Sequence, residues 1–261
     1  MIRKSLMLAY ALLAYILAIT SLAYIMGFLV DFGVPKGVSD GKSTSIWSAV
    51  LIDAGLVGLF GCHHSLTART SFKRWWVKII PAPVERATYL YMTTIMTLVL
   101  VVFWQPVPVT IWQVQSELAT EFIYLAYTAV WIMMSAATFH FGHFSFFGLT
   151  QVWQNFRDTP PKSPSMTARY LYALVRHPIS LGWMIAPLIV PHLTMGHLVF
   201  ACATFVYIIV ATHFEEADLI EELSDHYQDY RDRVPAFIPF LECNPKTATK
   251  CSELRKINDY K

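Results

Sequence analysis

RHPISLGWMIAPLIVPHLTMGHLVFACATFVYIIVATHFEE, residues 176–216, has charged residues only at its two ends; the interior contains no Asp, Glu, Lys or Arg. Its two apolar runs, 179–191 and 196–214, are separated by a short uncharged connection. Two antiparallel helices joined by a tight turn return the chain to the face it left, so His177 becomes a neighbour of Glu215-Glu216 although 38 residues separate the first two. Pro178 suits the first helical turn, where its missing N–H costs nothing. The same helix terminus favours an anionic group. Arg176 can pair a carboxylate, and a glutamate can hold ribose hydroxyls or an amino group. That set suits a zwitterionic, nucleoside-bearing ligand; the alternative is a juxtamembrane salt bridge that only fixes the hairpin.

The rest of the chain places this hairpin in a bilayer. With 55% apolar and 15% charged residues, the composition lies well below the roughly 25% charge of soluble domains. Hydropathy marks six segments, at about 5–30, 46–62, 88–105, 120–141, 179–191 and 196–214. The first is too long for a signal-peptide core and reads as a retained first span. The fifth carries Pro187 and ends at Pro191. It covers only about 20 Å of a hydrocarbon layer of roughly 30 Å. The expected fold is an all-α integral membrane protein of about six segments, the short fifth forming a hairpin with the sixth, followed by a cytoplasmic C-terminal helix and tail. Residues 1–240 read as one membrane-embedded domain and 241–261 as a polar tail.

Loop charge gives the orientation. Arg3 and Lys4 precede the first span; Asp31 and Asp40 offset Lys36 and Lys42 in the next loop. Loop 67–87 carries Arg69, Lys73, Arg74, Lys78 and Arg86 against Glu85, loop 106–119 has no basic residue, and loop 142–178 is basic again. This alternation puts both termini, and the 176–216 ends, on the cytoplasmic side, as in a bacterial inner membrane. Dispersed basic residues give no nucleic-acid patch. The four cysteines form no CxxC pair, so neither a zinc knuckle nor a disulfide framework is signalled. Asp53, inside the second segment, is an expensive group at that depth; no basic partner is obvious, and a water-accessible pocket or the outer interface accounts for it.

Arg176-His177-Pro178-Ile-Ser-Leu-Gly182, the apolar hairpin and Glu215-Glu216 together resemble the RHPxYxG, hydrophobic stretch, EE signature of the isoprenylcysteine carboxyl methyltransferase superfamily. The closing Tyr227, Tyr230, Val234-Pro235 and Ile238-Pro239 fit its tail. Upstream, His63-His64-Ser65-Leu-Thr-Ala68-Arg69, Phe72-Lys73-Arg74-Trp75-Trp76 and Pro83-Val-Glu85-Arg86 through Tyr89 are similar to the NnrU-like branch, and within it to the bacterial methanethiol S-methyltransferases. The resemblance covers about residues 48–240. It implies an S-adenosylmethionine-dependent enzyme that methylates a small volatile thiol, methanethiol to dimethyl sulfide, with hydrogen sulfide or methylselenol as other acceptors. It implies Arg176, His177, Gly182, Glu215 and Glu216 as cofactor-binding residues. Two positions depart from the pattern: Ser180 stands for a tyrosine, for which Tyr172 or Trp183 is a substitute, and Ser145 stands for an aspartate.

Methyl transfer from a sulfonium is an in-line displacement in which positioning matters most. The thiol reacts as its thiolate, so a base or cation must stand beside it. His64, at the cytoplasmic end of the second segment, is the leading catalytic base, and His143, at the matching end of the fourth, the second. Glu85 and Arg86 are expected to pair with each other. Rival readings are methyl transfer to a lipid or prenylcysteine carboxylate, a haem or metal membrane protein built on the nine histidines, and a non-enzymatic transporter. No metal ligand set is assigned.

Overall fold

A computed structural model describes residues 1–42, 44–140, 142–160, 169–223 and 225–239; the expected tail, 241–261, lies outside them. In chain order the helices are α1 (Ile2–Phe28), α2 (Ile46–Ala68), α3 (Thr70–Trp76), α4 (Glu85–Phe103), α5 (Glu117–His140), α6 (His143–Phe146), α7 (Leu149–Phe156), α8 (Leu171–Leu174), α9 (Pro178–Ile185), α10 (Met195–Leu223) and α11 (Asp225–Arg233). Five of these, α1, α2, α4, α5 and α10, are long and apolar enough to cross a membrane. The expected fifth segment is α9, extended by one 3-10 turn (Ala186–Leu188). At 1.5 Å per residue these turns rise only about 16 Å, half a bilayer. The chain is thus an all-α membrane protein of five full spans and one half-span.

Side-chain size explains how the spans sort their faces. On α1, Ala11, Ala14 and Ala18 are buried while Leu6, Leu12, Leu13 and Ile16 are exposed. Small residues let backbones approach closely, and bulky apolar ones meet lipid, where exposure costs nothing. α1 packs on α4 and α7, α2 on α4 and α10, and α9 on α5. Ala11, Ala14 and Ala18 share a core with Val84, Ala87, Tyr89, Leu90 and Phe147. The other end is filled by Phe28, Trp104 and Phe200, with Phe28 edge-on to Trp104.

Two features were not expected. Strands β1 (Thr110–Gln113) and β2 (His192–Thr194) pair antiparallel, with an irregularity between Thr110 and Trp112. They occupy the side where the half-span stops short, and the uncharged connection 192–195 is largely this strand. Asp53 also has a setting of its own. It is fully buried, and its Oδ1 accepts the Gln105 backbone N–H at 2.8 Å. Lys36, within electrostatic range of Asp53, donates to the Val102 and Trp104 carbonyls and closes the last turn of α4. A base from a loop that hydropathy reads as outside the membrane therefore comes within electrostatic range of Asp53, its ammonium spent on the two carbonyls.

α10 continues from the apolar run straight through Glu215 and Glu216 to Leu223. The carboxylates therefore sit on the rigid extension of a span. Their positions are fixed by the bundle.

Candidate functional site

Residues 175–177 are the pivot of the site. Val175 is extended (φ −143°, ψ 148°) and ends α8. Arg176 and His177 then run beside the proline-bearing tail, their N–H groups donating to the Pro235 and Ala236 carbonyls at 2.9 and 3.1 Å. Pro178 opens α9 with His177 as its N-cap, the geometry that the missing N–H favours.

The side chains lock this pivot to α10. Arg176 Nε donates to Glu216 Oε1 at 2.8 Å, and His177 Nε2 lies 2.9 Å from the same oxygen. A terminal nitrogen of Arg176 also donates to the Arg231 and Val234 carbonyls. Orphan carbonyls end every helix; here a guanidinium satisfies those closing α11. Arg176 and Glu216 are only 11% and 12% exposed, whereas Glu215 is 60% exposed, with Oε2 3.9 Å from His177 Nδ1. Arg176, His177 and Glu216 thus form a closed unit, and Glu215 is the carboxylate left open.

Tyr89, Tyr172, Tyr207 and Tyr227 all lie within electrostatic range of Glu215. Tyr230 donates to the Tyr172 carbonyl at 2.7 Å, and burial pushes its phenol up to about 12. Burial pushes Tyr172 and Tyr227 up as well, so these hydroxyls are neutral donors at any physiological pH. Of the two substitutes for the absent tyrosine at Ser180, Tyr172 stands at this end, stacked on His140 at 5.0 Å. Trp183 instead packs edge-on against Trp131 between α9 and α5.

The sequence-predicted residues divide on this geometry. Arg176, His177, Glu215 and Glu216 meet. Gly182 is buried, and a Cβ there would strike the Met134 side chain, so its visible role is to seat α9 on α5. Arg176 was expected to offer itself to a carboxylate, and it does, to the protein's own Glu216.

His64 adjoins this region through Tyr89, which is within electrostatic range of Glu215. The Tyr89 hydroxyl is 2.8 Å from its Nε2 and 3.0 Å from its Nδ1. The hydroxyl can bond only one nitrogen at a time, and it stands at contact distance from both. Phe60 stacks on the His64 ring at 5.5 Å, and Ser65 donates to the Tyr207 hydroxyl at 3.3 Å. His143 is differently placed. Its Nε2 is 2.9 Å from the Tyr15 hydroxyl and its Nδ1 2.7 Å from Thr138 Oγ1, and Phe139 stacks on the ring at 4.4 Å. Both nitrogens are committed to joining α1 to the end of α5. The expected Glu85–Arg86 pair does not form: Arg86 Nε turns to the Phe146 carbonyl at 2.9 Å.

Tyr207 was missed by motif reading, and Tyr89, which closes one of the motifs, was given no role there. A signal for Tyr89 was available. His64 is four residues before the end of α2, and Tyr89 four after the start of α4. Equal offsets on antiparallel neighbours put the two side chains level. Among the described residues no group of three His, Cys, Asp or Glu side chains is arranged to hold a metal ion.

Known proteins share this sequence along most of its length. It is 39% identical over 240 residues to methanethiol S-methyltransferase 2 of Bradyrhizobium diazoefficiens, covering 92% of each chain. It is 35% identical over 238 residues to methanethiol S-methyltransferase of Mycobacterium tuberculosis, covering 91% of this chain and 98% of that one. Nurim of Xenopus laevis is a more distant relative, 26% identical over 231 residues and 80% of this chain. No family model and no solved structure matches.

Proposed function

This chain belongs to the methanethiol S-methyltransferase family, and we propose that it transfers a methyl group from S-adenosylmethionine to methanethiol, giving dimethyl sulfide. The reaction is assigned to residues 1–240 acting as one membrane-embedded domain in a bacterial inner membrane. The alternation of basic loops supports cytoplasmic termini and a cytoplasmic site.

The observation that carries this reading is the contrast between Glu216 and Glu215. Glu216 is consumed in holding Arg176 and His177, while its neighbour stays exposed, within electrostatic range of Tyr172 and Tyr227. An exposed carboxylate with neutral phenols in electrostatic range fits a sulfonium-bearing nucleoside: the carboxylate takes hydroxyls or an amino group, and aromatic rings favour a cation. Glu215 is the residue that would touch the methyl donor, with His177 behind it. Arg176 and Glu216 position them, and Gly182 sets the depth of α9. S-adenosylmethionine supplies an activated methyl group on a cationic sulfur.

On the acceptor side His64 is the base. Its ring is half-buried and held by Tyr89 of the neighbouring span. His143, with both nitrogens engaged, is assigned to the framework around the site. The base takes the thiol proton, and catalysis then rests on aligning thiolate and methyl group.

The test is headspace analysis of cells fed methanethiol. Expressing cells are expected to release dimethyl sulfide well above an empty-vector control; equal release contradicts the acceptor assignment. Binding of S-adenosylhomocysteine by pure protein, weakened at least tenfold in Glu215→Ala and His177→Ala, tests the donor site separately. Unchanged binding in both variants contradicts it.

A further inference from the structure

A neutral base removes a proton but leaves a thiolate in need of a counter-charge, and His64 becomes cationic only after the proton has moved. A second, permanently charged group therefore has work to do on the acceptor side. Arg86 stands there. Its Nε is anchored on the Phe146 carbonyl at 2.9 Å. Its guanidinium carbon lies 4.8 Å over the Tyr89 ring and 5.3 Å over the Phe146 ring. Gly148, at φ +82°, passes so close that a Cβ would press on the arginine stem, and this glycine leaves the arginine room. Stacking and one hydrogen bond thus fix the fork. Among the described residues none of its terminal nitrogens has a hydrogen-bond partner, and no carboxylate, Glu85 included, forms an ion pair with it. The guanidinium lies within electrostatic range of both His64 and Tyr89.

From this geometry, and resting on the S-methyl-transfer reading above, we propose that Arg86 is a catalytic residue that binds the acceptor as its thiolate, between its own free N–H donors and the His64 ring. The thiol proton goes to the His64 nitrogen that Tyr89 does not bond. The sulfur lone pair then forms the new S–C bond while the methyl-to-sulfonium bond breaks, its electron pair remaining on the departing sulfur. His64 afterwards releases its proton to water. Tyr89 is the positioning residue that holds the histidine beside the arginine. A simple alkyl thiol is a weaker acid than the cysteine side chain, which ionises at about 8.5, so most acceptor is protonated at neutral pH. A fixed cation favours the ionised form. Arginine is suited to a half-buried place because it stays charged and is weakly hydrated.

The experiment compares pure parent, Arg86→Gln and Arg86→Lys for methanethiol turnover between pH 6.5 and 9.5, with S-adenosylhomocysteine affinity measured on the same samples. For Arg86→Gln, kcat/KM is expected to fall about 100-fold at pH 7 and to climb with pH where the parent is nearly flat, with S-adenosylhomocysteine affinity within twofold of parent. Arg86→Lys keeps the charge and is expected to lose only about tenfold, with the flat profile retained. Thiocyanate, a soft monovalent anion, is expected to inhibit the parent competitively against methanethiol; this arm needs no variant to fold. A parent that makes dimethyl sulfide while Arg86→Gln keeps its rate within threefold and its pH profile overturns the role of Arg86 and leaves the reaction standing. Inhibition by thiocyanate that is not competitive with methanethiol, or a loss of S-adenosylhomocysteine binding that parallels the loss of rate, also overturns it. A parent that makes no product overturns both readings.

Discussion

The Tyr89 hydroxyl reaches the ring of His64, 2.8 Å from Nε2, across the packed faces of two antiparallel spans. One hydrogen bond therefore sets the orientation of the proposed base. Tyr89→Phe keeps the ring and its packing and loses only that bond. Its kcat is expected to fall about tenfold with KM within twofold, whereas His64→Ala is expected to lose at least 100-fold, the usual scale for a general base. Steady-state kinetics on the two variants check this ordering.

Arg176 and Glu216 form a pair that is only 11% and 12% exposed. Removing one partner leaves the other buried and unpaired, a loss of about 3 kcal/mol. Arg176→Met is expected to lower the melting temperature in detergent by several degrees and to loosen the tail segment 231–236. Arg176→Lys recovers only part of this, because an ammonium lacks the fork that reaches Glu216 and two carbonyls together. Thermal melts and limited proteolysis report both effects.

Gly182 presses α9 against Met134. Gly182→Ala is expected to lower the melting temperature and, through it, activity. Met134→Ala in the same chain is expected to restore most of the loss by clearing the space the new methyl needs. If Gly182→Ala melts like the parent yet no longer binds S-adenosylhomocysteine, the glycine touches the donor instead.

His143 is held by Tyr15 and Thr138, and burial keeps its imidazole below the ordinary value of about 6.5. Below that value the unfolded chain takes up a proton before the folded one does. The contribution of His143 is therefore complete above about pH 6.5 and is lost as pH falls through its lower folded value. His143→Asn is expected to melt lower than the parent at pH 7.5, by about 1–2 kcal/mol for the lost hydrogen bonds. The gap should narrow by pH 5. Activity at pH 7.5 is expected to stay within about fivefold, in contrast to His64→Ala.

Apolar length and loop charge made the spans legible, because a bilayer demands both. The half-span was legible too, through Pro187 and Pro191, which cut the apolar run short. The short strands were not: four residues around Ile111 and three around Leu193 carry no period long enough to read, and each strand exists only because the other pairs with it. At the site, the 38-residue spacing of His177 and Glu215 was enough to bring them together, since a hairpin of rigid helices leaves little choice. Hidden from motif reading was the division of labour between adjacent glutamates. That depends on which face of α10 meets Arg176, and one residue is a 100° turn of the helix. The Glu85–Arg86 pairing failed for a similar reason, because adjacent residues on a helix do not face each other.

Pure protein supplied with methanethiol and S-adenosylmethionine carrying a trideuterated methyl group tests the central claim most directly. Mass spectrometry of the headspace is expected to find dimethyl sulfide with one trideuterated methyl, formed in proportion to S-adenosylhomocysteine. Unlabelled dimethyl sulfide alone, or S-adenosylhomocysteine release without any dimethyl sulfide, would contradict it.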